Sequence, residues 1–324
     1  MVKAIRFART GGPEVLTWED VAVGEPGPGQ VRIRHTAIGL NYIDTYLRSG
    51  LYPMPLPSGL GGEAAGVIEA VGKGVKGLKK GDRVAYAGGA PGAYSQARVM
   101  NADRLVKIPA GITDQQAASM MLKGMTTEYL LRRTYKLKKG DTVLFHAAAG
   151  GVGLIFCQWA KAIGANVIGT VSTDDKAALA KKHGAKHVIV TSRENFVERV
   201  KAITKGKGVS VVYDAVGKDT WEGSLDCLSV RGLLISFGNA SGAVPPVNLG
   251  VLSAKGSLYV TRPTLVSYTL TAAELADSSK ALFAMVKSGK VKIRINQSYA
   301  LKDAAMAHAD LQARKTTGST VLIP

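Results

Sequence analysis

The sequence predicts an α/β protein made of a doubly wound parallel sheet and a second, β-rich domain. Three observations predict it. The 324 residues exceed one typical core of ~100–200 residues and are enough for two. Roughly the first 120 residues read as short strands divided by Gly and Pro. From Thr113 to about residue 262, strand and helix patterns alternate, as they do where helices cross between parallel strands.

In the β-rich part, strands are predicted at Gln30–His35, Ala65–Val71, Arg83–Ala87 and Tyr94–Val99. Turn signals such as Glu25-Pro26-Gly27-Pro28-Gly29 lie between them. This spacing predicts a compact, irregular barrel-like domain. The segment around Tyr46 and Tyr52 contains Arg48-Ser49-Gly50 and runs into Pro53, Pro55 and Pro57, which predicts a rigid loop. Thr113 and Gln116 stand as the N-cap and capping-box partner of a helix. Thr142–His146 is an apolar strand, Gly153–Ile163 a helix, Asn166–Val171 a strand, and Asp174–His183 a helix capped by Thr173. Strands at His187–Val190, Val209–Asp214, Leu233–Phe237 and Ser257–Val260 continue the series. The tail adds a helix at Ala272–Lys287, a strand at Ile293–Ala300, a helix at Ala304–Arg314 and a strand at Thr320–Ile323.

Composition narrows the function classes. Hydrophobic residues at 46% and charged residues at 20% give an ordinary globular balance. The 38 glycines cluster at turns rather than in repeats, which sets aside collagen-like and low-complexity readings. Met1–Phe7 alternates like a strand and lacks the apolar core of a signal peptide. No segment approaches the ~20 apolar residues of a membrane span, so a cytoplasmic location is expected. Two cysteines, Cys157 and Cys227, make neither a disulfide framework nor a four-Cys zinc site. The formal charge is +18. Its lysine runs carry no interleaved aromatics of the kind that stack bases. Nucleic-acid binding is therefore not expected, and the field suits a phosphate-rich cofactor.

The strongest motif is Val143-Leu144-Phe145-His146-Ala147-Ala148-Ala149-Gly150-Gly151-Val152-Gly153. It follows a strand and opens a helix, the context of a dinucleotide-binding turn. Gly150 lets the backbone approach a pyrophosphate, Gly153 lets the helix pack close, and the helix N-terminus offers N–H groups and positive dipole. Ala148 stands where the usual motif has its first glycine. The next strand runs Ile168-Gly169-Thr170-Val171-Ser172-Thr173 with no acid before Asp174. An NAD site commonly has an acid there for the ribose hydroxyls. Ser172 and Lys176 suit a 2′-phosphate instead, so NADPH is the predicted cofactor.

Gly140-Asp141, Leu144, Ala148–Gly153, Gln158 and Lys161 together resemble the signature of the zinc-free quinone oxidoreductases and ζ-crystallins, within the medium-chain dehydrogenase/reductase superfamily. The resemblance covers nearly the whole chain. Asn41-Tyr42-Ile43-Asp44-Thr45-Tyr46 with Arg48–Pro53 resembles the family's substrate and nicotinamide segment. Gly62-Glu63-Ala64-Ala65-Gly66 and Gly81-Asp82-Arg83-Val84 resemble the wider superfamily, and Asp214–Gly217 and Phe237-Gly238-Asn239 its later cofactor turns. The resemblance implies a GroES-like catalytic domain, residues 1–124 with 265–324 returning to it, around a Rossmann domain at 125–264. It implies cofactor contacts from Asn41 through Tyr46, from Thr126 and Tyr129, and from Ala148, Gly150, Gly151, Val152 and Gly153. Further contacts are implied at Ser172, Lys176, Thr191, Val216, Phe237, Gly238 and Asn239. Thr191 departs from relatives that often carry Tyr there.

Zinc dehydrogenases of the superfamily hold their metal with a Cys and with the His of a Gly-His-Glu motif; here those places read Asn41 and Gly62. No Cys–His pair has ligand spacing, so no metal is expected. The reaction implied is hydride transfer from NADPH to a quinone. Asn41, Tyr46 and Tyr52 form the predicted acceptor site, and their amide or hydroxyl groups donate to the developing oxyanion. Two alternatives remain: an NADPH-dependent alkenal or enone reductase, and RNA binding like that of some ζ-crystallins. The apolar Gly256–Thr261 segment reads as an edge strand, which in relatives pairs with its twofold mate, so a homodimer is expected.

Overall fold

The computed structural model describes all residues, Met1–Pro324. They form two compact units, Met1–Met125 with Tyr268–Lys287 and Ile293–Pro324, and Thr126–Ser267 with Ser288–Lys292. No helix is long and apolar enough to cross a membrane.

The first unit carries β1 (Val2–Phe7), β2 (Thr17–Val21), β3 (Gln30–Leu40), β4 (Ser58–Gly59), β5 (Glu63–Val71), β6 (Arg83–Ala87), β7 (Ala97–Asn101) and β8 (Val106–Lys107). A small sheet has the order β2-β1-β4. The large one runs from Ile295–Ala300 through Ser319–Ile323, β3, β5 and β6 to β8, with β7 also pairing β3. β3 runs five residues past its predicted end at His35. Its register against β5 shifts twice, near Arg32 and near His35, and such bulges curve a sheet. Ile5, Phe7, Val31, Ile33, Ile38, Leu60, Ile68 and Val84 fill the core inside that curve, each contributing ~1.5–3 kcal/mol by burial.

The segment predicted as a loop around Tyr46 is instead a helix, α1 (Tyr42–Ser49). Asn41 caps it in an extended conformation, and Asp44 Oδ2 reaches back to accept the Asn41 N–H at 2.9 Å. Gly50, at φ 82°, ends it. Gly50 is thus the helix C-cap, and the three prolines lie beyond it, where they cannot oppose the helix. A second helix, α2 (Asp114–Tyr129), begins with the predicted capping box: Thr113 N–H reaches Gln116 Oε1 at 3.0 Å and Gln116 N–H reaches Thr113 Oγ1 at 3.1 Å.

The second unit is a six-stranded parallel sheet of β9 (Thr142–Phe145), β10 (Asn166–Val171), β11 (His187–Val190), β12 (Val209–Asp214), β13 (Leu228–Ser236) and β14 (Tyr259–Thr261). Their order is β11-β10-β9-β12-β13-β14. The winding reverses between β9 and β12, and ligands of such sheets bind beyond the strand C-termini at that point. α3 (Gly151–Ile163) and α4 (Asp174–Lys182) follow β9 and β10. α5 (Phe196–Ile203) and α6 (Trp221–Asp226) are not evident in the sequence pattern, because they are only eight and six residues long.

Candidate cofactor and acceptor sites

In the second unit, β9 leads into the glycine turn. Ala148 N–H bonds Thr170 O at 3.0 Å, which ties the turn to β10. Gly150 is the N-cap of α3 and no side chain caps it. The first N–H groups and the dipole of a 13-residue helix are therefore left to a ligand. A Cβ on Gly153 would lie 2.6 Å from both Ala147 O and Ala148 O, so only glycine lets the helix start this close to the turn. Ala148, in place of the motif's first glycine, is accommodated by its neighbour: a Cβ on Gly169 would lie 2.6 Å from the Ala148 methyl. The space that the motif usually leaves in the turn is left in β10 instead.

At the end of β10, Lys176 Nζ lies 3.5 Å from Ser172 Oγ, bringing the predicted ammonium and hydroxyl together. Thr173 caps α4 by accepting the Lys176 N–H. Asp174, the first acid after β10, holds Arg193 through two bonds of 2.6 Å, and this pairing lowers the pKa of its carboxyl. Thr191 is exposed and donates its hydroxyl to Val171 O at 3.1 Å. A cradle with a serine, a lysine and an occupied aspartate fits a 2′-phosphate. Thr126 and Tyr129 are buried on the last turns of α2, Gly238 and Asn239 are buried, and Val152, Val216 and Phe237 are half-buried.

A buried relay beneath the turn was missed by the sequence reading. Asp214 Oδ1 accepts the Val216 and Gly217 N–H groups at 2.8 and 3.0 Å. Its Oδ2 accepts the hydroxyls of Thr220 and Ser224 at 2.7 and 2.8 Å. Ser224 Oγ must then accept from His146 Nε2, 3.0 Å away. Burial lowers the pKa of His146, so the ring is neutral and Nδ1 accepts the Thr170 hydroxyl at 2.9 Å. Proton positions are thereby fixed along Thr170–His146–Ser224–Asp214. Three strand ends and the Val216 turn are held by one chain of bonds. Arg262 holds the last turn, reaching Ser236 Oγ at 2.7 Å and Gly238 O at 3.0 Å. The available signal was a polar His146 directly between an apolar strand and its glycine turn.

In the first unit the predicted acceptor residues also sit in a buried polar circuit. The amide of Asn41 donates to Glu63 Oε2 at 2.7 Å and to Gly39 O at 3.4 Å. Both amide hydrogens of Asn41 are thus engaged within the protein, and its side-chain oxygen serves the capping box with Asp44. Glu63 also receives Leu122 N–H at 2.7 Å and Lys123 Nζ at 3.1 Å. A Cβ on Gly39 would collide with Ala118 O and Glu63 Oε2, so a glycine there makes the carboxylate's space. Asp44, whose carboxyl burial pushes up to about 7, accepts the Tyr94 hydroxyl at 2.9 Å. Tyr94 in turn accepts from His308 Nε2 at 3.1 Å, and His308 Nδ1 accepts from Arg48 at 3.2 Å. Burial pushes the His308 pKa down to about 3, which fixes these directions. Arg48 also bonds Gly11 O and Gln312 Oε1. The circuit thus anchors both ends of α1.

Tyr42, Tyr46 and Tyr52 stand in a row, with ring centroids 5.6 and 5.1 Å apart. Tyr46 is buried and Tyr52 half-buried. Ile43 is exposed, while Thr45 is buried and bonds Tyr42 O at 2.7 Å. No group of three or more His, Cys, Asp or Glu side chains gathers in a way that could hold a metal ion.

A 3-2-1-4-5-6 parallel sheet with a glycine turn, together with a curved β-rich unit, defines a medium-chain dehydrogenase/reductase. Two family models match: the alcohol dehydrogenase GroES-like domain over residues 27–110 and the zinc-binding dehydrogenase over residues 151–283. A quinone oxidoreductase of Pseudomonas aeruginosa is 61% identical, with 100% of each chain covered. Quinone oxidoreductase 1 of Escherichia coli is 55% identical, also over all of both chains. A solved structure of Escherichia coli quinone oxidoreductase complexed with NADPH superposes with a TM-score of 0.98 at 55% identity, covering 99% of this chain and 100% of that one. A 2-haloacrylate reductase of a Burkholderia species is 48% identical over 100% of this chain and 99% of that one. The chain belongs to the quinone oxidoreductase family of that superfamily.

Proposed function

We propose that this protein reduces quinones with NADPH by hydride transfer, with no metal taking part. The observation that carries the reading is the uncapped Ala148–Gly153 turn, in a chain 55% identical over its whole length to a protein solved with NADPH. NADPH, when bound, supplies the hydride from its nicotinamide ring. The protein's own residues bind and orient. The α3 N-terminus receives the pyrophosphate, and Ser172 and Lys176 the 2′-phosphate. Val216, Phe237, Gly238 and Asn239 line the rest, with Thr126, Tyr129 and Thr191. The segment from Asn41 to Tyr46 belongs to the nicotinamide end. Tyr46 and Tyr52 donate their hydroxyls to the acceptor's oxygens, and Asn41 caps the helix that carries Tyr46. A quinone accepts hydride readily, so no Lewis acid is needed.

β14 is a sheet edge, and there Tyr259 and Val260 are 60% and 38% exposed, with Val230 at 70% on the neighbouring β13. An exposed apolar edge of this kind favours pairing with a second copy, so we read the protein as a homodimer. The two cysteines are both free and buried, which suits a cytoplasmic location.

The test is NADPH oxidation across ortho-quinones, para-quinones and activated alkenes. The alkenes are included because of the 2-haloacrylate reductase relative. Quinones are expected to give the highest kcat/KM; turnover confined to alkenes would overturn the reading.

A further inference from the structure

We propose that Lys123 is the acid that protonates the reduced acceptor, with Glu63, itself bonded by the Asn41 amide, holding its ammonium in place; this rests on the quinone reading above. Lys123 is the chain's one buried lysine, 6% exposed. A buried ammonium carries a desolvation penalty of several kcal/mol even before pairing is counted. Its pairing with Glu63 does not by itself account for its presence. The Glu63 carboxylate is already bonded on both oxygens, by Leu122 N–H and by the Asn41 amide. A buried ion pair can also be replaced by apolar side chains with little loss, or a gain, in stability. The pair therefore calls for a reason other than stability.

Geometry supplies one. The ammonium and the Asn41 amide bond the same oxygen, Glu63 Oε2, at 3.1 and 2.7 Å. The cation lies beside Asn41, which caps the helix that carries Tyr46. The neighbouring carboxyl, Asp44, is directed to the helix cap, accepting the Asn41 N–H and the Tyr94 hydroxyl on one oxygen. Lys123 is then the cationic proton donor next to Asn41, whereas the Tyr46 and Tyr52 hydroxyls orient the acceptor by hydrogen bonds.

The step balances. The nicotinamide gives one hydride, two electrons and a proton, to the quinone and is oxidised; the quinone becomes a hydroquinone monoanion. The Lys123 ammonium gives a proton to that oxyanion, an O–H bond forms as an N–H bond breaks, and the neutral amine regains a proton from water.

The test uses the protein without NADPH and 4-nitrophenol as an oxyanion probe, whose phenolate is coloured. The wild type is expected to bind it as the phenolate. Lys123→Gln should weaken phenolate binding at least ~10-fold, and with NADPH and a quinone should lower kcat ~100-fold while leaving NADPH affinity within about twofold. Lys123→Arg restores the charge but cannot release a proton. It should recover phenolate binding and leave kcat low. If Lys123→Gln does not fold, the double variant Glu63→Gln/Lys123→Gln leaves no unpaired charge and is expected to show the same losses. Binding of the neutral phenol by the wild type would overturn the proposal. So would full kcat in either glutamine variant, or recovery of kcat by Lys123→Arg. A wild type that turns over no quinone, yet still binds the phenolate through Lys123, would sink the quinone reading and with it the protonation step, while leaving the cationic site in place.

Discussion

At the scale of single residues, cofactor choice is set by the charges at the end of β10. Lys176 and Ser172 are 3.5 Å apart, and Asp174 is engaged by Arg193. NADPH should therefore bind more tightly than NADH by at least ~1.4 kcal/mol, about tenfold. Lys176→Glu should erase the preference; equal affinities in the wild type, measured by fluorescence titration, would contradict it. For the tyrosines, Tyr52→Phe should lower kcat/KM for the quinone ~10–100-fold, and leave NADPH affinity within about twofold. Tyr46→Phe should behave alike with some loss of cofactor affinity, and full turnover in both would make the row a packing feature. Two buried histidines set a pH dependence. Burial pushes the pKa of His35 down to about 4, against the raising effect of its bond to Ser95 O, and that of His308 down to about 3. Unfolding returns each to about 6.5. Their stabilising contribution is complete above pH ~6.5 and is lost as pH falls below it, by up to ~1.4 kcal/mol per histidine per pH unit. Asp44, with its pKa raised to about 7, acts in the opposite sense, its contribution falling as pH rises from 3.8 toward 7. Histidine NMR should find both rings neutral at pH ~6; a midpoint near 6.5 for either would refute the assignment.

At the scale of elements, three features were legible and two were not. The glycine turn, the α4 cap at Thr173 and the capping box at Thr113 could be read because each is a local pattern with a local cause. α1 could not. Its turn residues Arg48-Ser49-Gly50 carry a loop pattern, whereas Gly50 ends a helix and Arg48 is held by His308 and Gln312, more than 250 residues away in the chain. No window along the sequence contains those partners. The exchange between Ala148 and Gly169 was hidden for the same reason, since strand pairing brings the two together. It gives a direct test. Gly169→Ala should clash with the Ala148 methyl and weaken NADPH binding ~10-fold or more, a cost of the ~1–3 kcal/mol typical of overpacking. Adding Ala148→Gly should restore most of that binding. If the single variant binds normally by calorimetry, the compensation is not real.

At the scale of the whole molecule, strand–helix alternation made the parallel sheet legible, and Gly and Pro punctuation the β-rich unit. The candidate site was half legible. Ser172 and Lys176, named from a local pattern, lie 3.5 Å apart, and Tyr46, named from the family resemblance, is buried. The residues that support them from beneath, His146, Glu63, Lys123 and His308, could not be named, because a buried polar residue has no periodic signature of its own. The edge strand carries a molecular prediction: Tyr259→Asp with Val260→Lys should leave a folded monomer by light scattering, and an unchanged mass would remove β14 from the interface. The central claim, hydride transfer from NADPH to a quinone, is tested most directly by turnover with NADPH deuterated at either position of the nicotinamide C4. One of the two labelled forms should slow the reaction and pass its deuterium out of the cofactor, with one hydroquinone formed per NADPH consumed. NADPH consumption that does not depend on quinone, or a semiquinone released in place of hydroquinone, would contradict the account.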